Sequence, residues 1–265
     1  VTVPEAVFGI IAFSAEASPL DDAEQVVVET PYGQTSAPIR MGEVDGISVA
    51  FLARRGAEGE IPPQRIPYRA NVWAMRQLGV RRIVAPVVCG ALTLDHDLGD
   101  MIVCDQFVDR TWGREDTYYD GSEGTVMVSA ARPFCEDLGS VLVRVGHDLG
   151  FRVRDGGTTV VIPGPRFSTI AESLFFRAMG WDVVNMVTYP ESHLARELEL
   201  CYANLSIVTD HDVGLEGVGG VTSQTISRVM TESVDHVRRL LRAAIPEIGP
   251  QPDDECATAL TRAKL

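Results

Sequence analysis

The sequence has no CxxC pair, no apolar run long enough to span a bilayer and no basic stripe, and each absence removes a class of function. Its five cysteines (Cys89, Cys104, Cys135, Cys201, Cys256) are scattered and odd in number. That spacing offers neither a zinc site nor a disulfide framework, and it fits a reducing cytoplasm. The five histidines show no ligand spacing either, so no metal is expected. The N-terminus lacks a basic region ahead of its short apolar run, so no signal peptide is expected. A formal charge of −14 with no basic stripe argues against nucleic acid and against a membrane surface as partner. An anionic ligand would need a local group of cations working against that field. Internal repeats and domain-breaking linkers are also missing. One domain over residues 1–265, with a C-terminal arm from about residue 246, is the simplest organisation.

What is present fits a soluble α/β chain. A composition 45% hydrophobic and 23% charged supports a sizeable core, and 265 residues are routine for one α/β domain. VFGIIAF (residues 7–13) is a continuous apolar run, the pattern of a buried first strand. Strands are also predicted over 25–30, 39–41, 47–53, 82–88 and 100–106, with a polar surface loop through 124. Helical spacing marks 67–78, which stops at Gly79, then 132–150 and 223–244. A Gly-rich loop, GLEGVGG, precedes the last of these.

The stretch from Asp155 to Asp212 carries most of the functional signal. Three short β-rich runs (158–162, 182–186, 202–208) alternate with two helical patterns. Each run ends in residues suited to a ligand: Gly164-Pro165-Arg166-Phe167, then Asn185-Met186, then Asp210-His211-Asp212. In a parallel sheet such strand ends face one crevice, so convergence is expected. Phe167, following Gly-Pro-Arg, is either a core ring or a stacking platform for a flat aromatic ligand. Met186 is either edge packing or part of a binding surface. Asp210 and Asp212 form an Asx turn or supply an acid that protonates a ring nitrogen and improves a heteroaromatic leaving group. His211 points away from the two acids and reads as structural; His193 reads as an exposed helix residue.

Elsewhere, Val88-Cys89-Gly90 closes a buried strand with residues small enough for a ligand to approach, although tight packing has the same requirement. Arg54-Arg55 is a solvated pair or an anion clamp, since guanidinium forks match phosphate or carboxylate. In the first loop Ser14 can donate to an anion. Glu16 is an exposed loop acid or a general base for water.

These residues carry a family resemblance. The run GPRFSTIAES…NMVTYPESHLARELELCYA…VTDHD, with TPYGQTSAP, LARRG, YRANVWAM, VVCGAL and GDMIVCDQFVDRT, resembles the methylthioadenosine phosphorylases of the trimeric purine nucleoside phosphorylase family. The similarity runs from Phe8 almost to the C-terminus. It implies a central mixed β-sheet flanked by helices, a homotrimer, no cofactor, and inorganic phosphate as co-substrate. By position, Phe167 would pack on a purine and Met186 would lie under the ribose, beside Asn185 and the 88–90 strand end. Asp210 with Asp212 would hold N7 and the exocyclic amine of a 6-aminopurine. The family's 5′ pocket falls on Ser223, Ile226 and Ser227, whose two hydroxyls favour a polar 5′ group.

The phosphate side departs from the family. Its Gly-rich first loop is here Ala12-Phe13-Ser14-Ala15, its Arg-His pair is Arg54-Arg55, and two phosphate-binding Thr positions are Val87 and Val187. Losing such donors to a charged ligand costs roughly 1.5–3 kcal/mol each. Two routes for cleaving the N-glycosidic bond follow. In the favoured one, phosphate held by Ser14, Arg54 and Arg55 attacks the sugar; in the alternative, water activated by Glu16 does so. A third possibility is a nucleoside-binding protein without turnover.

Overall fold

A computed structural model describes residues 5–122, 124–213, 222–249, 255–261 and 263. The Gly-rich loop expected at 214–220, and part of the arm from 246, lie outside the described residues. Strands β1 (Phe8–Ala12), β2 (Glu24–Val26), β3 (Ile39–Val44) and β4 (Ile47–Ala53) precede helix α1 (Tyr68–Gln77). Next come β5 (Arg82–Ala91), β6 (Met101–Cys104), β7 (Gln106–Asp109), α2 (Glu136–Asp148), β8 (Val153–Asp155) and β9 (Thr158–Val161). The chain continues with α3 (Ile170–Ala178), β10 (Val183–Asn185), α4 (Thr188–Glu197), β11 (Cys201–His211) and α5 (Ser223–Ala244).

β5 is the spine of a mixed sheet. Its sequence, RIVAPVVCGA, is apolar almost throughout, as a strand covered on both faces must be. β11 runs parallel to it over its whole length. On the other edge, β1 pairs in parallel with the start of β5, and β10 pairs antiparallel with Gly90 and Ala91 at its end. The sheet therefore forks at β5, with β4, β3 and β2 continuing beyond β1 and β9 and β7 beyond β10. β10 and β9 run against β5 and β11, which corrects the expected reason for convergence. The strand ends meet because β10 is only three residues long, not because all the strands are parallel.

Helices cover both faces. Val72 and Met75 of α1 and Leu194 of α4 pack into one apolar cluster; Leu138 and Leu142 of α2 and Val237, Leu240 and Leu241 of α5 pack into the other. Removing each such side chain from water contributes about 1.5–3 kcal/mol. The first turns of α5 (Ser223, Ile226, Ser227) share a cavity with the ends of β5 and β11.

Several local expectations change. The strand predicted at 25–30 shrinks to β2, and the run 100–106 breaks at Asp105 into β6 and β7. β8 was not foreseen. His193 is half-buried beside Glu197 at 3.3 Å rather than exposed. All five cysteines are buried and outside any disulfide, but Cys135, Cys201 and Cys256, far apart in sequence, place their sulfurs within 4.8 Å of one another.

A buried ion pair ties the end of β4 to α4. Arg54, just past β4, meets the Glu191 carboxylate on α4 through Nε at 2.7 Å and Nη2 at 2.8 Å. Nη1 donates to Pro86 O at 3.0 Å, Nη2 also donates to Ile11 O at 2.5 Å, and the Tyr202 hydroxyl donates to Glu191 at 2.8 Å. Burial alone would lower the Arg54 pKa, but the charge and hydrogen bonds of Glu191 outweigh it and raise the value above the ordinary range. Replacing Glu191 by Ala strands a buried guanidinium, so chemical denaturation should show a loss of roughly 3–5 kcal/mol.

Candidate active site

The ends of β5, β10 and β11, the loop after β9 and the first turns of α5 enclose a cavity of about 370 Å³. Its acidic wall depends on a bulge. In β11, Val208 lies opposite Cys89 of β5, but Asp210 lies opposite Gly90, leaving Thr209 as an extra residue. The Thr209 hydroxyl lies 3.2 Å from Cys89 O and 2.9 Å from Asp210 Oδ1, so its one proton can serve either. A Cβ on residue 90 would come 2.9 Å from Asp210 Oδ2 and 3.4 Å from Val184 Cγ1. Only glycine leaves the carboxylate its place.

The two acids are 8% and 2% exposed. Burial is the main cause pushing Asp210 up to about 6; the Thr209 hydrogen bond pulls it down, the Asp212 charge pushes it up and His211 lowers it. Burial also raises Asp212, against the hydroxyls of Ser173 and Ser168 and the backbone of Val213. Asp212 Oδ2 and the neighbouring Ser168 Oγ are both buried without a hydrogen-bond partner in this geometry among the described residues. His211 is turned away, its Nε2 lying 2.8 Å from His96 O.

The loop carrying Phe167 is held from α3. Thr169 caps that helix in a reciprocal box with Glu172, and Glu172 also takes two 2.7 Å hydrogen bonds from Arg166. The Arg166 bonds, then the Thr169 backbone, hold the Glu172 carboxyl down at about 2. Phe167, 41% exposed, therefore stands on an anchored loop as part of the cavity wall and not in the core. Gly164, at φ +63°, lets the same loop lie on Met186; a Cβ there would be 2.7 Å from Met186 Sδ.

Not every residue gathered here is free to act. Asn185 lines the cavity, but its Nδ2 donates to Thr159 and Thr188 at 2.8 and 2.9 Å. Its Oδ1 accepts from Val187 N and Thr188 N at 2.9 and 3.1 Å, so no amide hydrogen remains for a ligand. Arg54 is a correction of the same kind: its bonds to Glu191, Pro86 and Ile11 use four of its five N–H groups. Arg55 differs. Its Nε donates to Ile61 O at 2.9 Å, while its terminal nitrogens have no partner among the described residues.

Ser14 and Glu16 are not brought to the cavity wall. Ser14 caps a short 3₁₀ turn (Ala15–Ala17), its hydroxyl bonded to the Glu16 side chain and accepting from Glu16 N at 3.2 Å. The Ser14 hydrogen bond lowers the pKa of the exposed Glu16 carboxyl, the wrong direction for a general base. Phe13 and Val187 contribute apolar wall, whereas Val87 is buried outside it. Val88, Cys89, Ser223, Ile226 and Ser227 all line the cavity. Sequence reasoning missed Thr209, Ser168 and Met230. Met230 lies four residues after Ile226 and was open to discovery by helical spacing, but the bulge at Thr209 has no local sequence mark.

A central mixed sheet forked at one strand, with this cavity at the ends of its strands, defines a nucleoside phosphorylase fold. Residues 8–246 match the model of the phosphorylase superfamily, and the chain belongs to that family. It is 44% identical over 252 residues to an S-methyl-5′-thioadenosine phosphorylase of Pyrococcus abyssi, covering 95% of this chain and 96% of the other. It is 45% identical over 266 residues to a purine nucleoside phosphorylase of Streptomyces coelicolor, covering 97% and 95%. Among solved structures, a methylthioadenosine phosphorylase from Schistosoma mansoni in complex with adenine superimposes with a TM-score of 0.89 at 32% identity, covering 98% and 99%.

The raised Asp210 pKa makes stability depend on pH. A carboxyl that binds its proton more tightly folded (about 6) than at its ordinary value of 3.8 stabilises the fold fully below about pH 4. That contribution is lost as pH rises through 6. Compared by denaturant unfolding from pH 4 to 8, the native chain should lose up to about 3 kcal/mol relative to Asp210→Asn.

Proposed function

We propose that the chain cleaves the N-glycosidic bond of a 6-aminopurine nucleoside by phosphorolysis, releasing adenine and a pentose 1-phosphate. The observation that carries this reading is the Asp210 carboxyl, raised to about 6 in a cavity lined also by Asp212 and the exposed Phe167 ring. The purine stacks on Phe167 with its N7 edge toward Asp210 and Asp212, and the ribose lies over Met186. Asp210 gives its proton to N7 as the C1′–N9 bond breaks and the bond electrons pass into the ring. A phosphate oxygen closes the new C–O bond on the opposite face of the sugar. Hydrogen phosphate supplies the proton that restores Asp210 through solvent.

Arg55 is the cation proposed for phosphate, with Arg54 holding the wall behind it. With Phe13 and Val187 beside it, phosphate is held weakly. The 5′ group meets Ser223 and Ser227 together with Ile226 and Met230, and a polar substituent suits the hydroxyls. The same reading has the chain working as one domain, without a cofactor, in the cytoplasm and as a homotrimer. An exposed apolar face of α3 (Ile170, Leu174, Phe175), continued by Met179 just past its end, with Trp112 nearby, supports self-association. No helix among the described residues is long and apolar enough to cross a membrane.

The test is adenine release from adenosine and methylthioadenosine by exhaustively dialysed protein, with phosphate varied. Release should saturate with phosphate at a KM above about 1 mM and yield the sugar 1-phosphate. Release indifferent to phosphate, giving the free sugar, would replace phosphorolysis by hydrolysis. Arg55→Ala should raise the phosphate KM about tenfold with little change in nucleoside KM. Asp210→Asn should lower kcat by about 10²–10⁴. Adenosine should show the higher kcat/KM; a strong preference for methylthioadenosine would remove the polar-pocket assignment.

A further inference from the structure

Away from the cavity, three cysteines from three parts of the chain come together. Cys135 stands at the N-terminal end of α2, Cys201 opens β11, and Cys256 belongs to the C-terminal segment. They are 3%, 0% and 5% exposed, and their sulfurs lie within 4.8 Å of one another. Backbone bonds fix two of the positions: Cys135 N donates to Tyr202 O at 2.8 Å and Cys201 N to Arg81 O at 2.9 Å. The C-terminal segment is anchored by Leu260 N on Glu199 Oε1 at 3.1 Å and by Met127 N on Ala263 O at 2.7 Å.

We infer that Cys135, Cys201 and Cys256 form a binding site for one monovalent copper ion per chain. The ligand set selects the metal. Thiolates prefer soft cations, and no fourth His, Cys, Asp or Glu joins the cluster among the described residues. Structural zinc is almost always closed by four ligands, whereas monovalent copper is satisfied by three sulfurs in a plane. With metal–sulfur bonds of about 2.3 Å, trigonal sulfurs lie about 4 Å apart, so the site closes by side-chain movements under about 1 Å.

Charge favours the same occupant. Three thiolates and one Cu(I) carry two net negative charges. Arg82 acts on Cys135 and Arg196 on Cys256 through their positive charge; Arg82 is shared with the Asp137 carboxylate, and Arg196 is 7% exposed. The N-terminus of α2 adds a favourable dipole at Cys135. Each thiol that binds gives its proton to solvent and copper stays monovalent, so no oxidant is needed. The ion would fasten the C-terminal segment to the start of β11.

The full chain, reduced and kept free of oxygen, is titrated with Cu(I) against a chromophoric Cu(I) chelator. One equivalent should be held per chain, Cys256→Ser should weaken it at least tenfold, and Cys104→Ser, a buried thiol outside the cluster, should leave it unchanged. Adenine release and circular dichroism report whether Cys256→Ser is folded, and Cys135→Ser repeats the test from the other side. Failure to hold copper against the chelator, equal retention by Cys256→Ser, or a preference for Zn²⁺ over Cu(I) would each overturn the assignment.

Discussion

One extra residue in β11 sets the geometry of the cavity. Without Thr209 the register with β5 would continue unbroken past Val208, and the next side chains would alternate across the sheet. The bulge re-aims Asp210, and the missing Cβ of Gly90 makes the space it enters. Burial in that space raises the carboxyl to a value at which it can still hold a proton near neutrality. The acid's chemistry thus depends on a strand irregularity and a glycine on its neighbour, neither of which is a titrating group.

Around that point the fold spends its strongest polar residues on rigidity. The Arg54–Glu191 pair with Tyr202 joins the β4 end to α4 and β11, and Asn185, Thr188 and Asn204 form a second buried hydrogen-bonded chain across β10, α4 and β11. Such networks are costly when partly satisfied and firm when complete. They hold the wall on which Met186 and Phe167 stand, so the groups meeting a ligand are the apolar and singly bonded ones.

Much of the architecture was legible because it rests on periodicity. The apolar runs of β1, β4 and β5 and the helical spacing of α5 announce themselves, and the strand-end groups at Phe167, Met186, Asp210 and Asp212 stand out as polar or aromatic residues closing apolar segments. What escaped depends on partners distant in sequence. Arg54 looks like an anion ligand until Glu191 meets it. Asn185 looks like a donor until Thr159 and Thr188 take both its hydrogens. Ser14 looks like a donor to phosphate and Glu16 like a general base until the two bond to each other. The cysteines look scattered because spacing along the chain says nothing of a helix end, a strand start and a terminal segment meeting in space.

On the proposed reading the buried Asp210–Asp212 pair also makes the cavity a filter. A buried carboxylate oxygen is stabilised by a group that brings it an N–H. A ring edge that brings an amino hydrogen supplies one; a ring edge that brings a carbonyl sets oxygen against oxygen. Discrimination built on an unmet hydrogen bond reaches far beyond what apolar fit provides, about 10⁴–10⁵ against the 10–200 of a misplaced methylene. On that reading the cavity selects by the hydrogen bond it requires of its ligand.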